Sequence, residues 1–260
     1  MITGASSGIG ETTARRLARE PGARLVLVAR RQERLNQLAH ELGGATVVAV
    51  DLTDPAAPHA VLEAVGRVHG ELHLLVNNAG ARWAGEFADT GWENVERHMK
   101  LDFEAPVRLT ETLLPLLRAT AQKSQPPVSI VNVSSTSGRV ARRGAGGYSA
   151  AKFALAGWSD SLAAEERGHG VHVGLVLPGY ISTEGFPQAE LRAHRLLRRI
   201  VSTPDTVAET IVDCAFNGTP ERYAPRGYWI AAAARILAPG LVRRATAGET
   251  FTPASGADGP

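Results

Sequence analysis

Tyr148 and Lys152, one helical turn apart, form the pair of residues most able to do chemistry in this sequence. Residues four apart on a helix share a face, so both side chains can point into one cleft. A phenol is a weak acid at neutral pH, and a neighbouring ammonium favours its ionised form, which is the form useful for proton transfer. Ser135, at the end of an apolar run, could hydrogen-bond a carbonyl oxygen on which charge accumulates. These three residues are candidate catalytic groups.

The same spacing would also arise in a helix with one buried tyrosine and one solvated lysine. Lysine is scarce in the chain, however, because only Lys100, Lys123 and Lys152 occur among 28 basic residues. A lysine ammonium is a compact charge that arginine does not replace. Its use at this position favours the chemical interpretation.

A glycine-rich stretch near the start of the chain is typical of a turn that holds a pyrophosphate. Gly4, Gly8 and Gly10 precede an amphipathic helical pattern from about Glu11 to Glu20. Glycines let the backbone turn tightly and approach phosphate oxygens at the helix N-terminus. The alternative is a glycine turn that only caps the helix. Because only three residues precede Gly4, we expect the first strand of the sheet to be truncated.

Short apolar runs alternate with helical patterns, which predicts βαβ units and a doubly wound parallel sheet. Strands are predicted at residues 24–29, 46–50, 72–76, 128–133 and 171–177. Ligands bind such sheets at the carboxyl ends of the strands. The candidate residues lie at those ends, namely Gly4 to Gly10, Arg30, Asp51, Asn78 to Gly80 and Ser135. This shared edge predicts one site rather than several unrelated features.

The residues that follow the second predicted strand indicate which dinucleotide is preferred. An acidic residue there holds the ribose 2′-hydroxyl of NAD, whereas an arginine accommodates the 2′-phosphate of NADP. Here Ala29 is followed by Arg30 and Arg31. The sequence therefore favours NADP(H), with Arg30 as its ligand. The alternative is that both arginines only cap a surface turn.

Composition excludes several classes of protein. A chain of 260 residues that is 44% hydrophobic indicates one globular domain, which we place at residues 1–245, followed by a disordered tail at 246–260. The net charge of +2 is too small and too dispersed to favour nucleic acid binding. A single cysteine, Cys214, suits a reducing compartment, so we expect a cytoplasmic protein without a Cys-based metal site. Neither a signal peptide nor an apolar run of about 20 residues is evident.

Taken together, the motifs resemble those of the short-chain dehydrogenase/reductase family over nearly the whole chain. The matching segments are Thr3 to Gly10, Asn77 to Gly80, Ser135 with Tyr148 and Lys152, and Pro178-Gly179 with Thr183. The resemblance implies a Rossmann-type fold of three layers. It also implies hydride transfer between a nicotinamide cofactor and a carbonyl or alcohol.

The resemblance further implies a role for each matching residue. Tyr148 would be the general acid in reduction and the base in oxidation, Lys152 would also hold the nicotinamide ribose, and Ser135 would orient the carbonyl. No metal is implied. The implied cofactor contacts are Gly4, Ser6, Ser7, Gly8, Ile9, Gly10, Arg30, Asp51, Leu52, Asn78, Ala79, Gly80, Tyr148, Lys152, Pro178, Gly179 and Thr183.

One residue departs from the family pattern. Asp102 stands where many members carry an asparagine that supports a water leading to the catalytic lysine. An ionised carboxylate accepts hydrogen bonds but cannot donate one. The proton relay would then work differently, unless Asp102 is merely a helix residue.

The C-terminal region resembles family members that act on bulky apolar ketones, aldehydes or alcohols. Its apolar helix, Trp229 to about Ala245, is expected to pack against the sheet. Alternatively, the helix could lie on a membrane surface with its arginines at the headgroups. The Arg-rich segment at residues 184–200 could be a substrate lid or only a solvated helix.

We therefore expect an NADP(H)-dependent carbonyl reductase that forms a homodimer. Three alternatives remain open at this stage. The same site could serve an NAD-dependent alcohol dehydrogenase, or the chain could be a non-catalytic NADP-binding sensor. The short first strand could also leave the chain poorly folded and inactive.

Overall fold

Two parallel sheets contain all the strands in the described part of the chain. The structure, a computed structural model, describes residues 1–123, 127–184 and 201–247. The strands are β1 (Ile2–Thr3), β2 (Val26–Ala29), β3 (Thr46–Ala49), β4 (Leu74–Asn77), β5 (Val128–Val133), β6 (Val171–Pro178), β7 (Tyr180–Ile181), β8 (Val201–Ser202) and β9 (Glu221–Ala224). Strands β7 and β8 pair only with each other.

Helices connect the strands. The α-helices are α1 (Gly8–Leu17), α2 (Gln32–Glu41), α3 (Ala57–Val68), α4 (Phe87–Met99), α5 (Ala105–Ala121), α6 (Gly146–Glu166), α7 (Pro204–Asn217), α8 (Trp229–Leu237) and α9 (Pro239–Ala247). A π-helix, Lys100–Glu104, joins α4 to α5. Single-turn π insertions are frequent at functional sites.

The seven-stranded sheet has the order β3-β2-β1-β4-β5-β6-β9, and each neighbouring pair is parallel. The strand order reverses beside β1, because the chain runs outward to β2 and β3 and then returns to β4. A doubly wound sheet opens a crevice at this point, outside the carboxyl ends of its strands. The predicted doubly wound parallel fold is confirmed.

Side chains on both faces of the sheet are buried, as a parallel sheet between two helix layers requires. Successive residues of a strand point to opposite faces. Leu27 accordingly packs into the core under α1, α2 and α7, whereas Val26 and Val28 pack into the core under α3, α5 and α6. The alternation explains why the strands read as continuous apolar runs.

The first strand is short but central. Ile2 pairs with Leu27 of β2 and with Val76 of β4, and its side chain is fully buried. Thr3 donates a hydrogen bond from its hydroxyl to the carbonyl of Val76. Two residues therefore place the following glycine turn at the middle of the sheet edge.

The C-terminal helices differ from the prediction. They are two helices separated at Ala238, and α8 buries only Ala232. Trp229 and Ile236 point into solvent instead of packing against the sheet. The prediction of core packing is wrong for this segment, because α8 buries a single small side chain and exposes its large apolar ones.

Several expectations fall on parts of the chain outside the described residues. These are most of the predicted lid, residues 185–200, and the predicted tail from residue 248 onward. Glu184, at the start of the lid segment, forms an ion pair with Arg34 at 2.6 Å. Across the described ranges, no helix combines the length and the apolar character needed to cross a bilayer.

Candidate active site

The glycine turn between β1 and α1 needs its glycines. Gly4 and Gly8 have φ values of 66° and 57°, which side chains other than glycine rarely adopt. A Cβ at Gly10 would overlap the carbonyl oxygen of Gly4. Among the described residues, Ser7 gives α1 no side-chain cap, so the first N–H groups of this helix stay open to an anion.

The segment at the end of β4 is held against this turn. The hydroxyl of Thr3 accepts hydrogen bonds from the backbone N–H groups of Asn78 (2.9 Å) and Ala79 (3.0 Å). The Asn78 side chain donates back to the Thr3 carbonyl at 2.9 Å. A Cβ at Gly4 would lie only 2.9 Å from the Ala79 Cα. Thr3 thus fixes the floor of the crevice, a role that its position within β1 does not reveal in the sequence.

Arg31, rather than Arg30, reaches the glycine turn. Its guanidinium donates to the hydroxyl of Ser6 at 3.0 Å and to that of Ser7 at 2.6 Å. Burial and the neighbouring Arg34 and Arg30 charges lower the pKa of Arg31. Arg30 is more exposed and lies 3.8 Å from Asp51. The prediction named Arg30 alone, although the sequence placed both arginines after β2.

Asp51 follows β3 at the same edge of the sheet. Its Oδ1 accepts hydrogen bonds from the backbone N–H (2.9 Å) and the hydroxyl (2.8 Å) of Thr53. Partial burial opposes ionisation of Asp51, but these hydrogen bonds and the Arg30 charge hold its pKa below the usual range. Two neighbouring candidates face the cores, since Leu52 packs with the core under α3 and Ile9 with the core under α1.

Residues after β6 close the crevice from the opposite side. A Cβ at Gly8 would lie 3.2 Å from Cγ2 of Thr183, so the glycine turn and Thr183 face each other. Pro178 ends β6, and the Gly179 N–H donates to the Ala224 carbonyl at 2.9 Å. These candidates therefore lie beside the same crevice.

Ser135, Tyr148 and Lys152 are brought together by β5 and α6. Lys152 is almost fully buried, and its Nζ donates to the carbonyl of Val133 at 3.1 Å. The same Nζ lies 5.8 Å from the centre of the Tyr148 ring. Ser135 accepts a hydrogen bond from the Ser137 N–H at 3.1 Å, which leaves its own hydroxyl hydrogen available to another acceptor.

Asp102 forms a direct ion pair with Lys152. Its Oδ1 lies 3.2 Å from Nζ, and the Asp102 side chain is fully buried in the π-helix. Burial raises the pKa of Asp102 to about 6, although the Lys152 charge and the Ala81 N–H act in the opposite direction. A Cβ at Gly80 would overlap the Asp102 carboxylate, so glycine at this position permits the approach.

A buried histidine that the sequence did not single out supports Tyr148. Nδ1 of His98 lies 2.7 Å from the Asn94 carbonyl, and Nε2 accepts a hydrogen bond from the Trp83 N–H at 3.1 Å. Burial lowers the pKa of His98, and because Nε2 accepts the Trp83 N–H, the ring carries its proton on Nδ1. Its ring meets those of Trp83 and Tyr148 edge to face, at centroid distances of 4.9 and 5.9 Å. His98 therefore positions the aromatic wall beside Tyr148.

Two arginines add positive charge near Tyr148. Arg142 donates to the Tyr180 hydroxyl and, at 3.3 Å, to Ser137. Burial and the Arg142 charge lower the pKa of Arg82, whereas the hydroxyls of Tyr148 and Tyr180 act in the opposite direction. Their loops are joined by a hydrogen bond between residues 85 and 144. Both arginines lie in loops, where the sequence carries no periodic signal.

A comparison with protein families decides the family. The model for the short chain dehydrogenase family matches residues 1–193. The chain belongs to the short-chain dehydrogenase family. Its crevice contains the family's glycine turn, Asn-Ala-Gly segment and Ser-Tyr-Lys set.

Curated relatives in this family share about one third of their residues with the chain. Dehydrogenase/reductase SDR family member 7B of Bos taurus is 34% identical over 193 residues, which are 70% of this chain and 58% of the relative. The oxidoreductase UcpA of Salmonella typhimurium is 34% identical over 220 residues, or 83% of this chain and 78% of the relative. The chain therefore spans less than two thirds of the bovine family member.

Solved structures of the family superpose on the fold. A short-chain dehydrogenase from Streptomyces avermitilis is 27% identical with a TM-score of 0.78, and the match covers 94% of both chains. The RhlG/NADP active-site complex of Pseudomonas aeruginosa is 27% identical with a TM-score of 0.75. That match covers 85% of this chain and 91% of the other.

Proposed function

We propose that the protein is an NADP(H)-dependent oxidoreductase that interconverts a carbonyl and an alcohol, with a bulky apolar ketone or aldehyde as substrate. The observation that carries the proposal is the position of the Lys152 ammonium. It is buried, held by the Val133 carbonyl and Asp102, and directed at Tyr148. Burying a charge is costly, so packing alone does not explain a lysine at this position. Its positive charge would, however, stabilise a tyrosine phenolate.

The residues around the crevice fit a dinucleotide. The open N-terminus of α1 and the positive-φ glycines suit a pyrophosphate, which would lie against Gly8 and Ser7. Asp51, Asn78 to Gly80 and Thr183 border the same crevice and would hold the remaining parts. The bound nicotinamide would supply or accept the hydride.

Proton transfer falls to the chain's own residues. In reduction, the Tyr148 hydroxyl would give its proton to the carbonyl oxygen, and in oxidation the phenolate would take it back. Lys152 would stabilise that phenolate through its charge. The Ser135 hydroxyl would donate to the same carbonyl oxygen and orient it. Among the described residues, His98 holds the Tyr148 ring from the side.

Preference for NADP(H) rests on the cationic end of β2. Arg31 sits on the glycine turn and Arg30 lies beside it, and the position lacks the acid that would bind a 2′-hydroxyl. A similar protein from Pseudomonas aeruginosa is described as an NADP complex. We therefore assign the 2′-phosphate to Arg30 and Arg31 together.

The remaining proposals concern the setting of the enzyme. We assign residues 1–245 to a single catalytic domain and a cytoplasmic location to the protein.

A homodimer would form through α5 and α6, where Leu114, Pro115 and Trp158 line an open groove. One relative supports a ketone as the substrate class. The ketoacyl reductase HetN of Nostoc is 31% identical to this chain, and the match covers 85% of this chain and 76% of HetN.

The test is a nucleotide titration followed by kinetics. The purified chain is titrated with NADPH and NADH by fluorescence and then assayed with a panel of apolar ketones and aldehydes. We expect NADPH to bind more tightly, and Tyr148→Phe to lower kcat by about 10²-fold or more while NADPH still binds. Tyr223→Phe, on β9, is the matched control and keeps full activity. Failure to bind either nucleotide, or full activity in Tyr148→Phe, refutes the proposal.

A further inference from the structure

The C-terminal helices expose an unusual amount of apolar surface. Five large side chains within thirteen residues are exposed by more than half, a set we name the C-terminal apolar surface. Its members are Trp229 (56%), Ile230 (61%), Ile236 (79%), Leu237 (83%) and Leu241 (66%). Ile236 and Leu237 are the most exposed of the large apolar residues in the described chain. Contiguous exposed apolar patches mark interaction sites.

The helical spacing places the four members in α8 on one broad side of that helix, whereas Leu241 lies on α9. Residues seven apart lie nearly above one another on a helix, so Trp229 aligns with Ile236 and Ile230 with Leu237. Ala232, three residues after Trp229 and four before Ile236, lies at the edge of this side and is buried against the rest of the protein. The helix therefore exposes its large apolar residues and buries only this one small side chain.

Positive charge accompanies this surface. Arg226, Arg235, Arg243 and Arg244 lie in the same segment, and the sequence contains no Asp or Glu between residues 225 and 248. Within the described ranges, no carboxylate lies at ion-pair distance from any of the four guanidinium groups. Apolar side chains combined with unopposed arginines are the composition of helices that lie in a membrane interface.

We propose that the C-terminal apolar surface docks on an anionic membrane surface. The apolar side chains of α8 and α9 would enter the boundary between headgroups and acyl chains, and the arginines would contact lipid phosphates. Each helix has nine residues, too few to span a bilayer. The protein would therefore lie on the membrane and would not cross it.

Charge disfavours a second copy of the chain as the occupant. Two such surfaces facing each other would bring two sets of four arginines together with no acid between them. Juxtaposed like charges oppose association. An anionic lipid surface supplies the opposite charge and an apolar phase at the same time.

The surface is connected to the candidate active site. Tyr228, immediately before α8, packs its ring where a Cβ of Gly179 would lie, and its hydroxyl accepts a hydrogen bond from the Tyr180 N–H at 3.4 Å. The Tyr180 ring in turn lies 4.5 Å from the Arg142 guanidinium. Docking would thus place the substrate side of the crevice next to the bilayer. This step rests on the proposed function, and it points to bilayer-dissolved carbonyls or alcohols as substrates.

The test is sedimentation of the full chain with vesicles, either of phosphatidylcholine alone or with about one third phosphatidylglycerol. We expect partitioning to the anionic vesicles to be about tenfold or more stronger, and to fall with added salt. Ile236→Ser/Leu237→Ser should lower it by about tenfold or more. Arg243→Gln/Arg244→Gln should lower it on anionic vesicles only. Phe87→Ser, which removes a side chain of 69% exposure from α4, is the matched control and leaves binding unchanged.

The outcomes separate this inference from the proposed function. Turnover of a water-soluble ketone without vesicles should be equal in the wild type and in both double variants. Absence of binding to anionic vesicles, or binding that survives in both double variants, overturns the docking proposal and leaves the enzyme proposal intact. Conversion of a dimer to a monomer by Ile236→Ser/Leu237→Ser in size-exclusion chromatography also overturns it, because the surface would then be a subunit interface. If the protein binds anionic vesicles but turns over no carbonyl or alcohol, the proposal of bilayer-dissolved substrates is refuted and the docking proposal stands.

Discussion

Replacing Asp102 by asparagine should change how stability depends on pH. Burial raises the pKa of this carboxyl from 3.8 to about 6 in the folded protein. Between these values the folded state holds a proton that the unfolded state has released. Stability therefore falls as pH rises through this window, which is the opposite of the usual behaviour of a paired aspartate.

The structure sets the size of the effect. A pKa difference between 3.8 and about 6 corresponds to about 3 kcal/mol, the cost of ionising Asp102 in its buried position. About 2 kcal/mol of this cost develops between about pH 4.5 and about pH 7.5. Asp102→Asn removes the titration. The variant therefore differs from the wild type with a protonated Asp102 by one constant amount at every pH.

Urea unfolding of the wild type and Asp102→Asn at these two pH values measures the effect. The unfolding free energy of the variant minus that of the wild type should rise by about 2 kcal/mol from the lower to the higher pH. Asp89→Asn, which removes an exposed acid from the first turn of α4, is the control and should show a much smaller change. An equal pH dependence in the wild type and Asp102→Asn would refute the buried, destabilised carboxylate.

Three further changes have defined outcomes. Lys152→Met should lower kcat by about 10²-fold or more in carbonyl reduction, because the phenolate loses the buried cation beside its ring. In fluorescence titrations, Arg31→Met should raise the Kd for NADPH by about tenfold and leave the Kd for NADH unchanged, because charge-assisted hydrogen bonds contribute about 1.5–3 kcal/mol. Arg30→Met should raise the Kd for NADPH by a smaller factor. Arg118→Met should lower the unfolding free energy in urea, because the carboxylate of Glu166, a residue without exposed surface, loses its bidentate partner. Pairing Arg118→Met with Glu166→Gln should recover part of this loss.

The strands of the sheet and the residues at their carboxyl ends were predictable, because the sequence patterns that indicate both are local. The apolar run at 128–133 predicted β5 with the bounds that the structure has. Glycines at positions 4, 8 and 10 predicted the turn because its backbone excludes side chains. Since strands of a parallel sheet end at one edge, the sequence also indicated that Ser135 and the residues after β4 would meet there.

Contacts between distant residues were not predictable in the same way. Arg30 and Arg31 are adjacent in sequence, and which one reaches Ser6 depends on how the chain leaves β2. His98 contacts Tyr148 because α4 packs against α6, fifty residues further along the chain. In α8, an alanine-rich sequence predicted a helix but gave no sign of which side would face the sheet.

The close packing at Gly80 links the proposed cofactor crevice to the proposed proton-transfer residues. This glycine ends the segment beside the glycine turn, and any side chain there would displace the Asp102 carboxylate. Displacing that carboxylate would leave the Lys152 ammonium with only the Val133 carbonyl among the partners that the structure describes. A buried ammonium that loses a partner costs more free energy to bury and is held less firmly in one position. The floor of the crevice and the proposed catalytic pair, Tyr148 and Lys152, therefore depend on the same glycine, because a side chain at Gly80 would disturb both.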